Sequence, residues 1–195
     1  RGWLDMKKKI ARVISYVTVV PVVAFFTILL SFLYNRECFV GTGWIIYSII
    51  FLTILPLLAY PLHRIIPASR EQGRKGERKL AFILAVISYV LGTIITFLFN
   101  APIIIKKIFM AYLLSGLFLS FVNKVLKIKA SGHAGGISGP VTLLVNIIGF
   151  NMLWLYLLLP IVFWSRIKLG RHTLKELFIG TFVGIVSTLA AVSLF

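Results

Sequence analysis

Two short clusters of polar residues contain the groups in this sequence that can do chemistry. The first is Ser131-Gly132-His133, and the second is Ser165-Arg166 followed, after five residues, by His172. Together they hold two of the three histidines in the chain. One imidazole can attack phosphorus, a second can protonate the leaving oxygen, and a guanidinium and hydroxyls can bind phosphate oxygens. These residue types therefore indicate phosphoryl transfer.

Two neighbouring features support this interpretation. A glycine at 132 lets the backbone approach a phosphate closely, and a helix that starts just after it points free N–H groups at the same place. A nucleophilic imidazole needs one nitrogen unprotonated and the other held by an acceptor. Glu176, one of only five acidic residues, lies four positions after His172, on the same helical face. We therefore predict that Glu176 orients His172.

The two clusters resemble the second and third signature motifs of the type-2 phosphatidic acid phosphatase superfamily, which includes lipid phosphate phosphatases, soluble acid phosphatases and vanadium haloperoxidases. The resemblance covers residues 124–184. It implies that His172 is the nucleophile and forms a phosphohistidine, that His133 is the general acid, and that Arg166 clamps the non-bridging oxygens. It also implies that the phosphate contacts the remaining members of the motifs, Ser131, Gly132 and Ser165.

The first motif of that superfamily, a lysine and an Arg-Pro pair separated by six residues, is absent from this sequence. We predict that Lys129, two residues before Ser131, binds phosphate in its place, with Lys124 as the second candidate.

No cofactor is expected, because the cations are side chains and the sequence has no acidic cluster able to hold Mg²⁺. Lys168 and Arg171 are interpreted as positive-inside anchors, and the basic stretch 63–79 as a solvated or anionic-lipid-binding surface.

The composition is that of a membrane protein, with 59% hydrophobic residues, 13% charged residues and a mean hydropathy of +1.00. A net charge of +16 is compatible with nucleic-acid binding. The cations, however, cluster in short junctions between apolar runs, as in cytoplasmic membrane loops, so we predict no nucleic-acid partner. The single cysteine, Cys38, excludes an intramolecular disulfide.

The apolar runs predict the helices that must position the two clusters. A single helix over the 31 residues between the clusters would be about 46 Å long and would place them on opposite membrane faces. We therefore predict a hairpin that reverses near Asn146, Gly149 and Asn151, with a single span over residues 139–164 as the alternative. The other apolar runs lie at 10–34, 44–60, 80–99, 108–122 and 173–195, and the first of them is long enough to cross a membrane.

The predicted fold is an all-α integral membrane bundle of about six to seven helices. It forms one membrane domain over residues 1–195, with N-terminal helices over 6–100, a phosphatase core over 101–195, and residues 1–5 as a remnant ahead of Met6. Lysines and arginines near the N-terminus and at 63–79 fall on the same side as both clusters. We therefore expect a multi-pass plasma-membrane protein with a cytoplasmic active site.

The predicted function is hydrolysis of a phosphate or diphosphate ester on a lipid, through a phosphohistidine and without a metal. Candidate substrates are phosphatidate, phosphatidylglycerol phosphate and isoprenoid phosphates. A lipid-linked phosphotransferase would use the same residues, with a lipid or sugar hydroxyl in place of water. The other alternative is a non-enzymatic transporter or scaffold in which the histidines bind phosphate without turning it over.

Overall fold

The structure is a computed structural model that describes residues 2–195, with side chains from Asp5 onward. Among these residues all regular structure is helical, which confirms the predicted all-α membrane bundle. Five described helices are long and apolar enough to cross a membrane, and a bent pair at the N-terminus makes a sixth. A further apolar helix, Gly132–Ile148, has 17 residues and is shorter than each of these candidate spans, so it is not counted among them.

The first apolar run forms two helices rather than one. Helix α1 (Gly2–Val17) and helix α2 (Val20–Tyr34) meet at an angle of 57°. Pro21 lies in the first turn of α2, where its missing N–H is not needed by the helix. The bend directs α1 away from α2, and α1 packs on the helical segment Leu158–Lys168, near the site described below.

Helix α3 (Gly43–Ile65) continues through Pro61, five residues beyond the predicted end at Tyr60. A short helix, Pro67–Arg70, then leads into helix α4 (Gly73–Leu98). The basic stretch 63–79 is therefore largely helical, and its last seven residues form the first two turns of α4. Four cations consequently project from the start of a membrane helix.

Helix α5 (Ile103–Val125) begins five residues before its predicted start and ends in a π-helical turn. It packs against α4 through aromatic side chains, with the rings of Tyr89 and Tyr112 5.8 Å apart at an angle of 68°. This buried contact lies in the largest hydrophobic cluster of the bundle.

The predicted hairpin between the two clusters is confirmed. Helix α6 (Gly132–Ile148) ends at Gly149, whose positive φ of 124° allows the chain to reverse. Helix α7 (Phe150–Lys168) begins as a 3₁₀-helix and runs back along α6. The single span over residues 139–164 is therefore wrong, because the chain turns inside that range.

The last helix, α8 (Leu174–Val192), packs closely on α6 through glycines. A Cβ atom at Gly180 would overlap the backbone of Ser131, and one at Gly184 would overlap the backbone of Gly135. Small residues at these positions let the two helices approach closely. This close approach holds the start of α6, with its histidine, against the start of α8.

The end of the bundle away from the two clusters is tied by hydrogen bonds around the hairpin tip. The Asn35 amide donates to the Ile147 carbonyl at 3.4 Å, and the Lys107 ammonium donates to Asn146 Oδ1 at 3.3 Å. The 3₁₀-helix Arg36–Phe39 follows Asn35 and carries the exposed Cys38. Cys38 and the two polar clusters therefore lie at opposite ends of the molecule.

Candidate active site

A cavity of about 940 Å³ opens among the helices at the end that holds both clusters. It brings together six of the nine predicted site residues, namely Lys124, Lys129, Gly132, His133, Arg166 and His172. Glu176 contacts the His172 side chain from outside this lining. The other two, Ser131 and Ser165, are fully buried and do not line the cavity.

The five-residue gap between Arg166 and His172 has a structural explanation in the turn from α7 to α8. Gly170 adopts a left-handed conformation with φ 62°. The Arg171 N–H donates to the Arg166 carbonyl at 3.0 Å, and the Gly170 N–H donates to the Ile167 carbonyl at 2.9 Å. These two bonds form a Schellman motif, which ends α7. Arg166 therefore occupies the last turn of α7, while His172 stands just before α8.

His172 is held by Glu176, as predicted. Its Nδ1 lies 2.7 Å from Glu176 Oε2, and only 7% of the His172 side chain is exposed. An ionised carboxylate only accepts hydrogen bonds, so Nδ1 carries the hydrogen and Nε2 keeps the lone pair. Glu176 is fixed in turn by the Thr173 N–H at 3.4 Å, as part of a capping box that starts α8.

Burial lowers the pKa of the His172 imidazole below its ordinary value. The hydrogen bond and negative charge of Glu176 act in the opposite direction, and the positive charge of Arg166 adds to the lowering. The net lowering of the pKa favours the neutral form of the ring. A neutral ring with its lone pair on Nε2 is the form that can attack phosphorus.

His133 stands in the first turn of α6, and a backbone carbonyl orients it. Its Nε2 lies 3.1 Å from the Ser15 carbonyl oxygen of α1. A carbonyl only accepts, so Nε2 carries a hydrogen and Nδ1 is the nitrogen left to exchange a proton. The Ser131 hydroxyl caps α6 by accepting from the Ala134 N–H at 3.4 Å, and the Ser131 N–H donates to the Glu176 carbonyl at 2.9 Å.

Arg166 is a buried cation without a counter-ion. Only 6% of the residue is exposed, and its terminal nitrogen donates to the Ser15 hydroxyl at 2.7 Å. Its Nε has no hydrogen-bond partner, and no described carboxylate forms an ion pair with it. A buried charge is costly unless it is paired, so this guanidinium favours an anion in the cavity beside it.

Two lysines border the cavity. The Lys129 ammonium lies 3.2 Å from Glu176 Oε1, and 61% of its side chain is exposed. The Lys124 ammonium lies 4.3 Å from the centre of the Phe82 ring, in a cation–π contact. Both cations are close enough to the cavity to meet an anionic ligand there. Lys129 is in addition joined through Glu176 to His172.

The two serines of the motifs hold helices together in this structure. Ser131 caps α6, and the Ser165 hydroxyl donates to the Ala11 carbonyl at 2.7 Å, which ties α7 to α1. The direct phosphate contact predicted for both hydroxyls stays a prediction. Gly132, in contrast, lines the cavity, and a Cβ atom there would have no neighbour within 4 Å. The backbone at this position is therefore open to a ligand.

Several residues of the site were not predicted as such from the sequence. The Ser15 hydroxyl accepts hydrogen bonds from both Arg166 and Arg171, the latter at 3.0 Å, and its carbonyl accepts from His133. Arg171, interpreted as a membrane anchor, lines the cavity, as do Arg74 and Arg78 of α4. The available signal for the α4 pair was their spacing of four residues, which places both on one helical face.

The inner part of the cavity is apolar. Its lining continues from the cationic end to side chains of α2, α3, α4, α5 and α6, including Val20, Pro56, Val86, Tyr89, Tyr112 and Leu143. The cavity is thus amphipathic, with cations and imidazoles at one end and hydrocarbon surface in the middle of the bundle.

Among the described side chains, no three histidine, cysteine, aspartate or glutamate residues form a group that could hold a metal ion.

No protein family model, curated protein or solved structure matches this chain. The resemblance to the type-2 phosphatidic acid phosphatases therefore rests on the two motifs. The geometry of their residues is an independent observation of this structure.

Proposed function

We propose that this protein is a membrane lipid phosphate phosphatase that works through a phosphohistidine on His172. The observation that carries the proposal is the buried, unpaired guanidinium of Arg166 in a cavity shared with two differently oriented imidazoles. An unpaired buried cation favours an anion, and the two rings provide a nucleophile and a proton donor. A phosphate ester meets both conditions, because it is an anion that the guanidinium can bind and a substrate on which the two imidazoles can act.

In the first step, Nε2 of His172 attacks phosphorus, and the bond between phosphorus and the lipid oxygen breaks. His133 gives a proton to that oxygen, so the lipid leaves as an alcohol. Arg166 and Lys129 stabilise the charge that develops on the non-bridging oxygens. The Glu176 carboxylate stabilises the positive charge that forms on the His172 ring, since it accepts the hydrogen of Nδ1.

In the second step, water attacks the phosphohistidine. The bond between phosphorus and Nε2 breaks, and His133, now neutral, takes a proton from the water. Inorganic phosphate leaves, and both histidines return to their starting states. No metal is required by this scheme, because side-chain cations provide the electrostatic stabilisation.

The amphipathic cavity supports a lipid as the substrate. A phosphate bound between Arg166 and the two histidines would leave its ester chain directed toward the apolar lining around Tyr89 and Tyr112. Phosphatidate, phosphatidylglycerol phosphate and isoprenoid phosphates all have this division between anion and hydrocarbon. The cations at this end also favour a cytoplasmic site in the plasma membrane, by the positive-inside rule.

The test is phosphate release by the detergent-purified protein from a panel of lipid phosphates. His172→Ala should lower turnover by about 10³-fold or more, as expected when a nucleophile is removed. His63→Ala is the matched control, because His63 lies outside the cavity and contacts Ser69. Turnover by His172→Ala near that of the wild type would remove His172 as the nucleophile.

Two additions to this assay separate the alternatives. Vanadate should inhibit at millimolar concentration or below, because it mimics five-coordinate phosphorus, whereas EDTA should leave the rate unchanged. Added alcohols distinguish a phosphatase from a phosphotransferase, since a transferase would yield a phosphorylated alcohol at the expense of inorganic phosphate. Binding without any turnover would identify a transporter or scaffold.

A further inference from the structure

The exposed surface of helix α1 is divided between an apolar face and a cationic face. The apolar face is a stripe of four side chains whose exposed fractions lie between 47% and 60%: Met6, Ile10, Val13 and Val17. Their spacing of four, three and four residues places them on one side of the helix. The cationic face carries three exposed side chains: Lys8, Lys9 and Arg12. The part of α1 that the bundle leaves uncovered is therefore amphipathic.

A third face of α1 packs on the bundle and reaches the candidate active site. Ala11 and Ser15 lie one turn apart on this face, and both are buried. The Ala11 carbonyl accepts from the Ser165 hydroxyl, while Ser15 accepts from Arg166 and, through its carbonyl, contacts His133. These contacts use one side of α1 only, so the apolar stripe stays largely uncovered by the described part of the chain.

The bend between α1 and α2 directs α1 along the membrane surface rather than across the membrane. With α2 along the membrane normal, an axis inclined by 57° lies closer to the membrane plane than to the normal. The level of α1 is fixed by its neighbours, because a Cβ atom at Gly136 would overlap the side chain of Val20, at the start of α2. Helix α1 therefore joins the bundle at the level where α6 begins, beside the candidate active site.

The cations of α1 belong to a region of positive charge. Lys8 and Arg12 help to line a second, smaller cavity of about 260 Å³, whose other cations are Arg74, Lys168 and Arg171. No acidic residue lines this cavity, and the described carboxylates form no ion pair with the three cations of α1. Positive charge beside an apolar stripe is complementary to anionic lipid headgroups above their acyl chains. A second copy of the chain fits less well, because it would bring the cations of two copies together.

We propose that α1 is an interfacial helix that binds an anionic bilayer surface. Its apolar stripe inserts among the upper parts of the acyl chains, and its cations contact the headgroups. This docking goes beyond the proposed function and does not depend on it. Because α1 carries Ser15, docking also holds the hydroxyl and the carbonyl that contact Arg166 and His133. Anionic lipid thus acts on the site without entering the cavity.

Labels at adjacent positions of α1 test the docking directly. The full chain with Cys38→Ser is reconstituted in phosphatidylcholine vesicles with or without phosphatidylglycerol, and a fluorophore is attached at Ile10→Cys or at Lys9→Cys. In the anionic vesicles, lipid spin-labelled just below the headgroup should quench the label at position 10, and iodide on both sides of the bilayer should quench the label at position 9. A label at Met6→Cys should behave like that at position 10, since the whole stripe is inserted.

Two outcomes of this measurement would overturn the proposal. Quenching of all three labels by iodide would show that α1 stands in water, away from the bilayer. Shielding of the labels at positions 6 and 10 from both quenchers would show that protein, such as a second copy of the chain, covers the stripe.

The variant Lys8→Gln/Arg12→Gln tests the dependence on anionic lipid. Each cation near an anionic surface strengthens attachment about fivefold, so the equilibrium between docked and free α1 should fall about 25-fold in anionic vesicles. In vesicles of phosphatidylcholine alone, the variant and the wild type should give equal quenching of the label at Ile10→Cys. Arg36→Gln/Lys106→Gln is the matched control, since these cations lie at the opposite end of the bundle, each over a phenylalanine ring. Equal quenching of variant and wild type in anionic vesicles would overturn the electrostatic part of the proposal.

The link from docking to Ser15 is tested through turnover, and this part rests on the proposed function. The substrate is a water-soluble aryl phosphate, which does not need to be delivered from the bilayer. In anionic vesicles, Ile10→Gln/Val13→Gln should raise KM about tenfold, because the charge-assisted hydrogen bonds to the Ser15 hydroxyl are loosened. An unchanged KM would overturn the link. The labels report docking whether or not the protein turns over any phosphate, so failure of the docking and failure of the phosphatase proposal are distinguishable.

Discussion

The neighbourhoods of the two histidines differ in the atom that holds each ring. His172 is held by a carboxylate, with Nδ1 2.7 Å from Glu176 Oε2, whereas His133 is held by a neutral carbonyl, with Nε2 3.1 Å from Ser15 O. A carboxylate stabilises the positive charge that a nucleophilic ring acquires on attack, and a carbonyl mainly orients a ring. The site is therefore asymmetric before a substrate arrives, and this asymmetry supports different roles for the two rings.

Replacing His133 is the strongest test of that difference. His133→Ala should slow hydrolysis of a lipid phosphate by about 10²–10⁴-fold, because the alkoxide leaves without a proton. An aryl phosphate with an acidic leaving group needs no such proton, so its hydrolysis should fall far less. Single-turnover rates with both substrates provide the measurement. Equal losses on the two substrates would mean that His133 does not act on the leaving group.

Glu176→Gln tests the other ring. The amide keeps the shape of the side chain but removes its charge and allows the His172 ring to turn, so we expect kcat to fall by about 10²-fold. Lys175→Gln, which changes the adjacent exposed cation, is the control. A Glu176→Gln enzyme with wild-type kcat would show that the carboxylate serves only to cap α8, through its contact with the Thr173 N–H.

Ser15→Ala separates the two functions of Ser15. The substitution removes the hydroxyl that accepts from Arg166 and Arg171 but keeps the carbonyl that orients His133. Loss of a hydrogen bond to a charged group costs about 1.5–3 kcal/mol, so KM should rise about tenfold with little change in kcat. Thr18→Ala, directly after α1, is the matched control, since the Thr18 hydroxyl donates to the Ile14 carbonyl. An unchanged KM would exclude a role for this hydroxyl in positioning the guanidinium groups.

The smallest expected effect is a shift in pH dependence. Because burial lowers the pKa of His172, the acid limb of kcat/KM should lie below pH 6.5, the ordinary value for histidine. Glu176 acts in the opposite direction, so Glu176→Gln should lower the pKa of His172 further and move the acid limb to lower pH. The substrate ionises identically in both experiments, so the difference between the profiles reports the enzyme. A shift to higher pH would contradict this electrostatic account.

Local patterns explain what could be predicted from the sequence. The reversal at Gly149 and the contact of Glu176 with His172 each depend on residues that are close in sequence. The capping-box pattern from Thr173 to Glu176 was a further signal that α8 starts directly after His172.

Contacts between distant segments explain what could not be predicted. Ser15 reaches His133, Arg166 and Arg171 across more than 110 residues, and a serine in an apolar run has no pattern that reports such a contact. Pro21 is a residue type that can kink a helix, but it does not give the 57° angle between α1 and α2 or the direction in which α1 then runs.

The position of the lone cysteine gives the molecule a built-in marker of its orientation. Cys38 is exposed in the turn after Asn35, at the end of the bundle opposite the histidines. A thiol reagent that cannot cross the bilayer will therefore react from one side only, and that side is opposite the candidate active site. If the site is cytoplasmic, as proposed, intact cells should be labelled at this single thiol, and no engineered cysteine is needed to show it.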